Sequence, residues 1–134
     1  MKRNLDTGEE SEVVKIKGMN YDLSPDGREV VFQKDSTIKI VSLNGGEPRE
    51  IFRGKAADNR WTRDGRYIIV RARGTLWRVP AQGGTPLKLD LVVPKMMLFT
   101  LHPDNRRFAF FVVEESKSEL WVMQNFLPPL KNPR

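Results

Sequence analysis

Leu23-Ser24-Pro25-Asp26-Gly27 is a tight-turn sequence set between two short apolar runs, and the chain returns to it twice. The second copy is Trp61-Thr62-Arg63-Asp64-Gly65 and the third is Leu101-His102-Pro103-Asp104-Asn105, so the aspartates stand 38 and 40 residues apart. An aspartate in such a turn accepts backbone N–H groups, and Gly or Asn after it tolerates the positive φ of the reversal. Recurrence at one turn position gives Asp26, Asp64 and Asp104 a structural role rather than a catalytic one. A period of about 40 residues is the length of a stacked supersecondary unit.

Outward from each turn the same plan repeats. In the first unit Met19 to Leu23, Glu29-Val30-Val31-Phe32, Thr37-Ile38-Lys39-Ile40-Val41 and Arg49-Glu50-Ile51-Phe52 read as strands, with Asn44-Gly45-Gly46-Glu47-Pro48 as the last turn. The second has Asn59-Arg60-Trp61, Tyr67-Ile68-Ile69-Val70, Leu76-Trp77-Arg78-Val79 and Leu87-Lys88-Leu89, with Gln82-Gly83-Gly84-Thr85-Pro86 matching Asn44 to Pro48. The third has Met97 to Leu101, Phe108 to Val112 and Leu120 to Met123, and then departs. Gln124-Asn125-Phe126-Leu127-Pro128-Pro129-Leu130 stands where a fourth strand is due, and prolines cannot donate to a ladder. Ahead of the first unit, Asp6-Thr7-Gly8-Glu9 reads as a turn and Ser11 to Ile16 as a strand. No helix is needed. Short β-branched and aromatic runs, apolar on both faces, fit four-stranded blades stacked on each other.

The 134 residues hold a little over three such blades, whereas closed propellers typically have about 4–8. The expected division is a partial blade over 1–17, blades over 18–53, 54–90 and 91–127, and a proline-rich tail over 128–134. Without cysteine there is neither a disulfide nor a thiolate metal site. Met1-Lys2-Arg3 has the charge of a signal peptide, but the polar stretch to Glu12 is no apolar core. The longest apolar run, Phe108 to Val113, is far too short to span a bilayer, so no membrane insertion is expected and no compartment is assigned.

The repeats resemble the Pro-Asp type of propeller repeat in bacterial TolB-like proteins. Ser24-Pro25-Asp26-Gly27 is the full turn of that pattern, and Leu120-Trp121-Val122-Met123 looks like its third strand. The second turn has Arg63 in place of the proline, and the third has Asn105 in place of the glycine. The likeness covers residues 2–124 and implies an all-β propeller. Such repeats serve scaffolds, sensors and enzymes, often outside the cytoplasm, so fold alone does not assign an activity. By resemblance the chain is a half-propeller or a piece of one.

One outer strand at residues 11–16, two complete blades and three strands of a last blade are half of a six-bladed ring. A homodimer, with the N-terminal strand of each copy completing the last blade of the other, would satisfy both open ends. The partner expected first is therefore a second copy of the chain.

Sites of chemistry are few. His102 is the single histidine, which disfavours a catalytic triad or a metal centre, and no nucleophile elbow, zinc helix or phosphate loop occurs. No cofactor is expected and the chain reads as a non-enzyme. Met96, Met97 and Met123 read as core filling, and Trp61, Trp77 and Trp121 as packing between blades. Charge is the one asymmetry. Arg53, Lys55, Arg60, Arg63, Arg66, Arg71, Arg73 and Arg78, against Asp58 and Asp64, carry the chain's whole net charge of +6. Arg60 aligns with Asp22 and Thr100 on inner strands, and Asn59 aligns with Tyr21 and Phe99. Asn59, Arg60, Asn20 and Tyr21 are thus candidate ligand residues at a channel mouth, for an anionic ligand, protein or peptide, the alternative being a solvated basic surface. Nucleic acid is disfavoured, because the arginines lack aromatic platforms beside them. The reading is a propeller interaction module; the rival is the propeller portion of a larger bacterial enzyme or sensor, associated with a peptidase or a kinase.

Overall fold

The computed structural model describes residues 2–12, 15–93, 95–114 and 117–127. Among these residues there are thirteen strands and no helix. The first full sheet is a meander of β3 (Met19–Leu23), β4 (Glu29–Lys34), β5 (Thr37–Ser42) and β6 (Arg49–Arg53). The second repeats it with β7 (Ala56–Trp61), β8 (Tyr67–Ala72), β9 (Thr75–Pro80) and β10 (Leu87–Val92). The third has three strands, β11 (Met96–Leu101), β12 (Arg107–Glu114) and β13 (Lys117–Gln124). Each sheet is antiparallel and wound in chain order, which is a propeller blade.

The recurring turn sets the register of each blade. Ser24 Oγ donates to Asp26 Oδ1 at 2.7 Å and accepts the Glu29 N–H at 2.9 Å, while Asp26 Oδ1 accepts the Arg28 N–H at 3.0 Å. Thr62 and Asp64 reproduce this, with Thr62 Oγ1 donating to Asp64 Oδ1 at 2.6 Å and the Arg66 N–H donating to the same oxygen at 3.0 Å. In the third turn Asp104 Oδ1 accepts the Arg106 N–H at 2.8 Å, and Asn105 holds the left-handed position at φ 56° that Gly27 and Gly65 occupy.

Two cores lie between the blades. Val31, Ile38, Ile40, Ile51 and Phe52 of blade 1 meet Trp61, Ile68, Val70 and Val79 of blade 2. Ile69, Leu76 and Leu89 of blade 2 meet Met96, Phe99, Phe108 and Phe110 of blade 3. Successive residues of a strand point to opposite faces, so Ile68 and Val70 pack one way and Ile69 the other. All three are fully buried, each contributing roughly 1.5–3 kcal/mol. The middle blade is covered on both faces, which is why its second strand reads as a continuous apolar run.

Four expectations change. The strand expected over 11–16 is replaced by a small hairpin of β1 (Lys2–Arg3) and β2 (Glu10–Ser11). Asn4 closes it, its side-chain oxygen accepting the Asp6 and Thr7 N–H groups. Residues 13 and 14 lie outside the described residues, and 15–18 are in no strand. β10 runs to Val92, past the boundary drawn at residue 90. Trp121 is 52 % exposed instead of packed between blades. Its counterpart Trp77 packs on Phe52 of the preceding blade, ring centroids 5.6 Å apart. Met97 is also exposed, beside a bulge between Met96 and Leu98 that turns it out of the core, while Met96 and Met123 pack inside.

Residues 125–127 form no strand, and the tail over 128–134 lies outside the described residues. Phe126 instead turns back on the second core, its ring edge-on to Phe108 at 4.6 Å.

Candidate functional site

The inner strands β3, β7 and β11 end side by side where the three turns begin. Their aligned residues Asp22, Arg60 and Thr100 line one open cavity of about 230 Å³, together with Pro25, Arg63 and Pro103. This is the place where the repeats bring different chemistry to one position: a carboxylate, a guanidinium and a hydroxyl.

Asp22 and Arg60 are each held in place by named contacts. The Trp61 backbone N–H donates to Asp22 Oδ2 at 2.8 Å, so blade 1 is tied to blade 2 at the rim. Arg60 Nη1 donates to Asp58 Oδ1 at 2.7 Å and to its neighbour's carbonyl, Asn59 O, at 2.6 Å. The Arg60 guanidinium lies 5.8 Å from the centroid of the Phe99 ring, a cation–π distance. Arg63 is exposed, and its backbone N–H donates to Asn105 Oδ1 at 2.8 Å, which joins the second turn to the third.

Asp58 is the residue that the sequence did not single out. It is 1 % exposed, accepts the Asn59 N–H and Arg60 Nη1 through Oδ1, and lies opposite Arg71 in the ladder. Arg71 Nη2 donates to Met97 O at 2.8 Å across the junction with blade 3. Burial lowers the Arg71 pKa below its ordinary value, and the Asp58 carboxylate pulls the other way. The available signal was the i, i+2 spacing of Asp58 and Arg60 on one strand face.

The four proposed ligand residues separate. Arg60 lines the cavity. Asn59 is fully buried on the opposite face of β7, against blade 1, with neither amide atom hydrogen-bonded. Asn20 sits at a bulge with φ 53° and donates through Nδ2 to Gln33 Oε1 at 2.8 Å and to Ala57 O at 3.0 Å. Tyr21 is 49 % exposed on the outward face of blade 1, stacked on Phe32. The basic residues of the middle blade divide likewise: Arg60 and Arg71 hold the junction with blade 3, Arg78 lies over the Tyr67 ring, and Lys55, Arg63, Arg66 and Arg73 face solvent. His102 stays within its own turn, its ring beside Asp104 and Arg107. Among the described residues no three of His, Cys, Asp or Glu are grouped so as to hold a metal ion.

No family model and no curated protein matches the chain. Solved structures do. A TolB assignment from Agrobacterium tumefaciens superposes with TM-score 0.68 at 19% identity, over 84% of this chain and 44% of that one. A chain of a nidogen–laminin complex gives TM-score 0.60 at 17% identity, over 78% of this chain and 43% of its own. An oligogalacturonate lyase solved with manganese gives 0.53 at 16% identity, over 80% of this chain and 35% of that one. The chain thus spans less than half the length of these solved proteins. The TolB and nidogen–laminin chains are β-propellers, and the three sheets of this chain are blades of that fold.

Proposed function

We propose that the chain is a non-catalytic propeller module that binds a carboxylate-bearing segment of a protein or peptide at the rim cavity. The observation that carries this reading is the convergence of Asp22, Arg60 and Thr100 on one cavity. Among the described residues only Nη1 of Arg60 is hydrogen-bonded, so its Nε and Nη2 keep donors for a carboxylate. Arg63 adds a second cation at the mouth. Asp22 keeps Oδ1 for an N–H donor, a pairing that suits a peptide better than a bare anion.

Titration calorimetry with an Asp/Glu-rich peptide tests the reading. Binding should weaken as salt rises and should fall at least tenfold in Arg63→Glu and in Arg60→Gln. Equal affinity for both variants and the parent chain would contradict it.

A second reading has its own support: the chain covers 44% of the TolB-type chain, so it also fits as the propeller portion of a larger bacterial enzyme or sensor. Turnover of any substrate by the chain alone would favour that reading.

A further inference from the structure

The outermost faces of the three blades carry a pattern that the two inner junctions explain. Ile38, Leu76 and Leu120 hold the same place in the third strand of successive blades, each on the face turned toward the next blade. Ile38 and Leu76 are fully buried, whereas Leu120 is 72 % exposed. Leu98 and Val122 on the same face of blade 3 are 59 % and 62 % exposed. At the other end, Tyr21 is 49 % and Leu23 is 53 % exposed, while the equivalent residues of blade 2, Asn59 and Trp61, are 0 % and 5 % exposed. Among the described residues the forward face of blade 3 has no blade after it, and the backward face of blade 1 has none before it. That backward face is open at Tyr21 and Leu23, whereas Phe32 and Val41 on it are buried within the chain.

We infer that each open face docks the other face of a second copy, head to tail at both ends, to form a closed ring of two chains. The argument for this occupant is the chain itself: forward-on-backward packing occurs at both inner junctions, so the open pair are the two halves of a junction the molecule already makes twice. Leu76 and Phe99 share one core, and their counterparts at the open ends are Leu120 and Tyr21. Two chains of three blades give six, inside the range of about 4–8 for closed propellers, and a two-fold axis makes the two junctions identical. This goes beyond the rim-cavity reading and does not depend on it.

The new junction differs from the inner ones in chemistry. Blade 1 reaches forward with Asn20 and Gln33, which donate to Ala57 O and Ala56 O, and blade 2 reaches forward with Arg71, which donates to Met97 O. On blade 3 the places of Asn20 and Gln33 are taken by Leu98 and Phe111. The contact between copies is thus apolar, without cross-junction bonds from those positions, so it should depend on protein concentration and resist salt.

Sedimentation of two variants tests the arrangement. Leu120 and Tyr21 are exposed within the single chain, so Leu120→Glu and Tyr21→Lys should leave each chain folded, as circular dichroism would confirm. Each variant alone should sediment as single chains. An equimolar mixture should regain the mass of a pair, because one junction then pairs Glu with Lys and the other is unchanged. Pairs that persist in the Leu120→Glu variant, a mixture that stays single, or open assemblies whose mass keeps growing with concentration would each overturn the proposal.

Discussion

Asp22 accepts the backbone N–H of Trp61 at 2.8 Å, across 39 positions of sequence and from one blade to the next. The bond fixes how the inner strands of blades 1 and 2 sit beside each other, and so fixes the rim where Arg60 emerges. A carboxylate acceptor for a backbone donor is worth about 1.5–3 kcal/mol. Asp22→Ala should destabilise the chain by about that amount in urea unfolding, and Asp22→Asn, which keeps an acceptor oxygen, by less.

The Asp58–Arg60 contact is an ion pair with its acid almost wholly buried, side-chain exposure being 1% for Asp58 and 28% for Arg60. Removing one member of such a pair leaves a charge without its counterion. Asp58→Ala should cost up to about 3–5 kcal/mol, the lower end being expected because Arg60 keeps some water. A cycle with Arg60→Ala should show the two losses to be strongly non-additive. Additive losses would mean that the pair does not act as a unit at the blade 2–blade 3 junction.

Gly18 lies where a side chain has no room. A Cβ there would run into the carbonyl oxygen of Gln33 and come within 2.8 Å of the Phe32 ring. Gly18→Ala must push the backbone of β4 or displace Phe32, so a loss of at least about 1–3 kcal/mol is expected in thermal or urea unfolding. Full stability in that variant would show that the segment entering β3 is placed differently.

The turn carboxylates make acid a probe of the blade turns. Backbone and side-chain donors from Arg106 and Arg107 hold Asp104 down at about 2, and the Ser24 hydroxyl with the Arg28 N–H lowers Asp26. A carboxyl whose pKa is depressed by folding stabilises the fold above its ordinary value near 3.8. That contribution is lost as pH falls through the folded value. Stability should therefore decline between about pH 4 and pH 2. Carbon-detected titration of Asp104 should give a midpoint close to 2. A midpoint at or above 3.8 would contradict the turn geometry.

The blades were legible in the sequence because their turns demand particular residues. Asp26-Gly27 and Asp64-Gly65 each mark a reversal, and the shared Gly-Gly-x-Pro turns mark the outer strands. Pro128 and Pro129 argue against a fourth strand in blade 3, and both lie outside the described residues. Side-chain placement was less legible, because parity along a strand does not say which neighbour covers a face. Asn59 and Arg60 are adjacent in sequence, yet one is buried against blade 1 and the other opens on the rim cavity. Trp77 and Trp121 hold equivalent places, yet Phe52 covers one while the other is 52 % exposed. The N-terminal hairpin was missed because the turn was read from Asp6-Thr7-Gly8-Glu9 alone, while Asn4 is the residue whose side chain caps it and lets Lys2–Arg3 pair with Glu10–Ser11.

The exposed Leu120 and Tyr21 remain the sharpest statement of what the chain lacks by itself. Sedimentation equilibrium of the unmodified chain across a wide concentration range tests the account most directly. The account predicts a reversible rise to twice the 15.5 kDa of one chain and no further, unchanged in high salt. A folded species that stays at the mass of one chain at every concentration would contradict it.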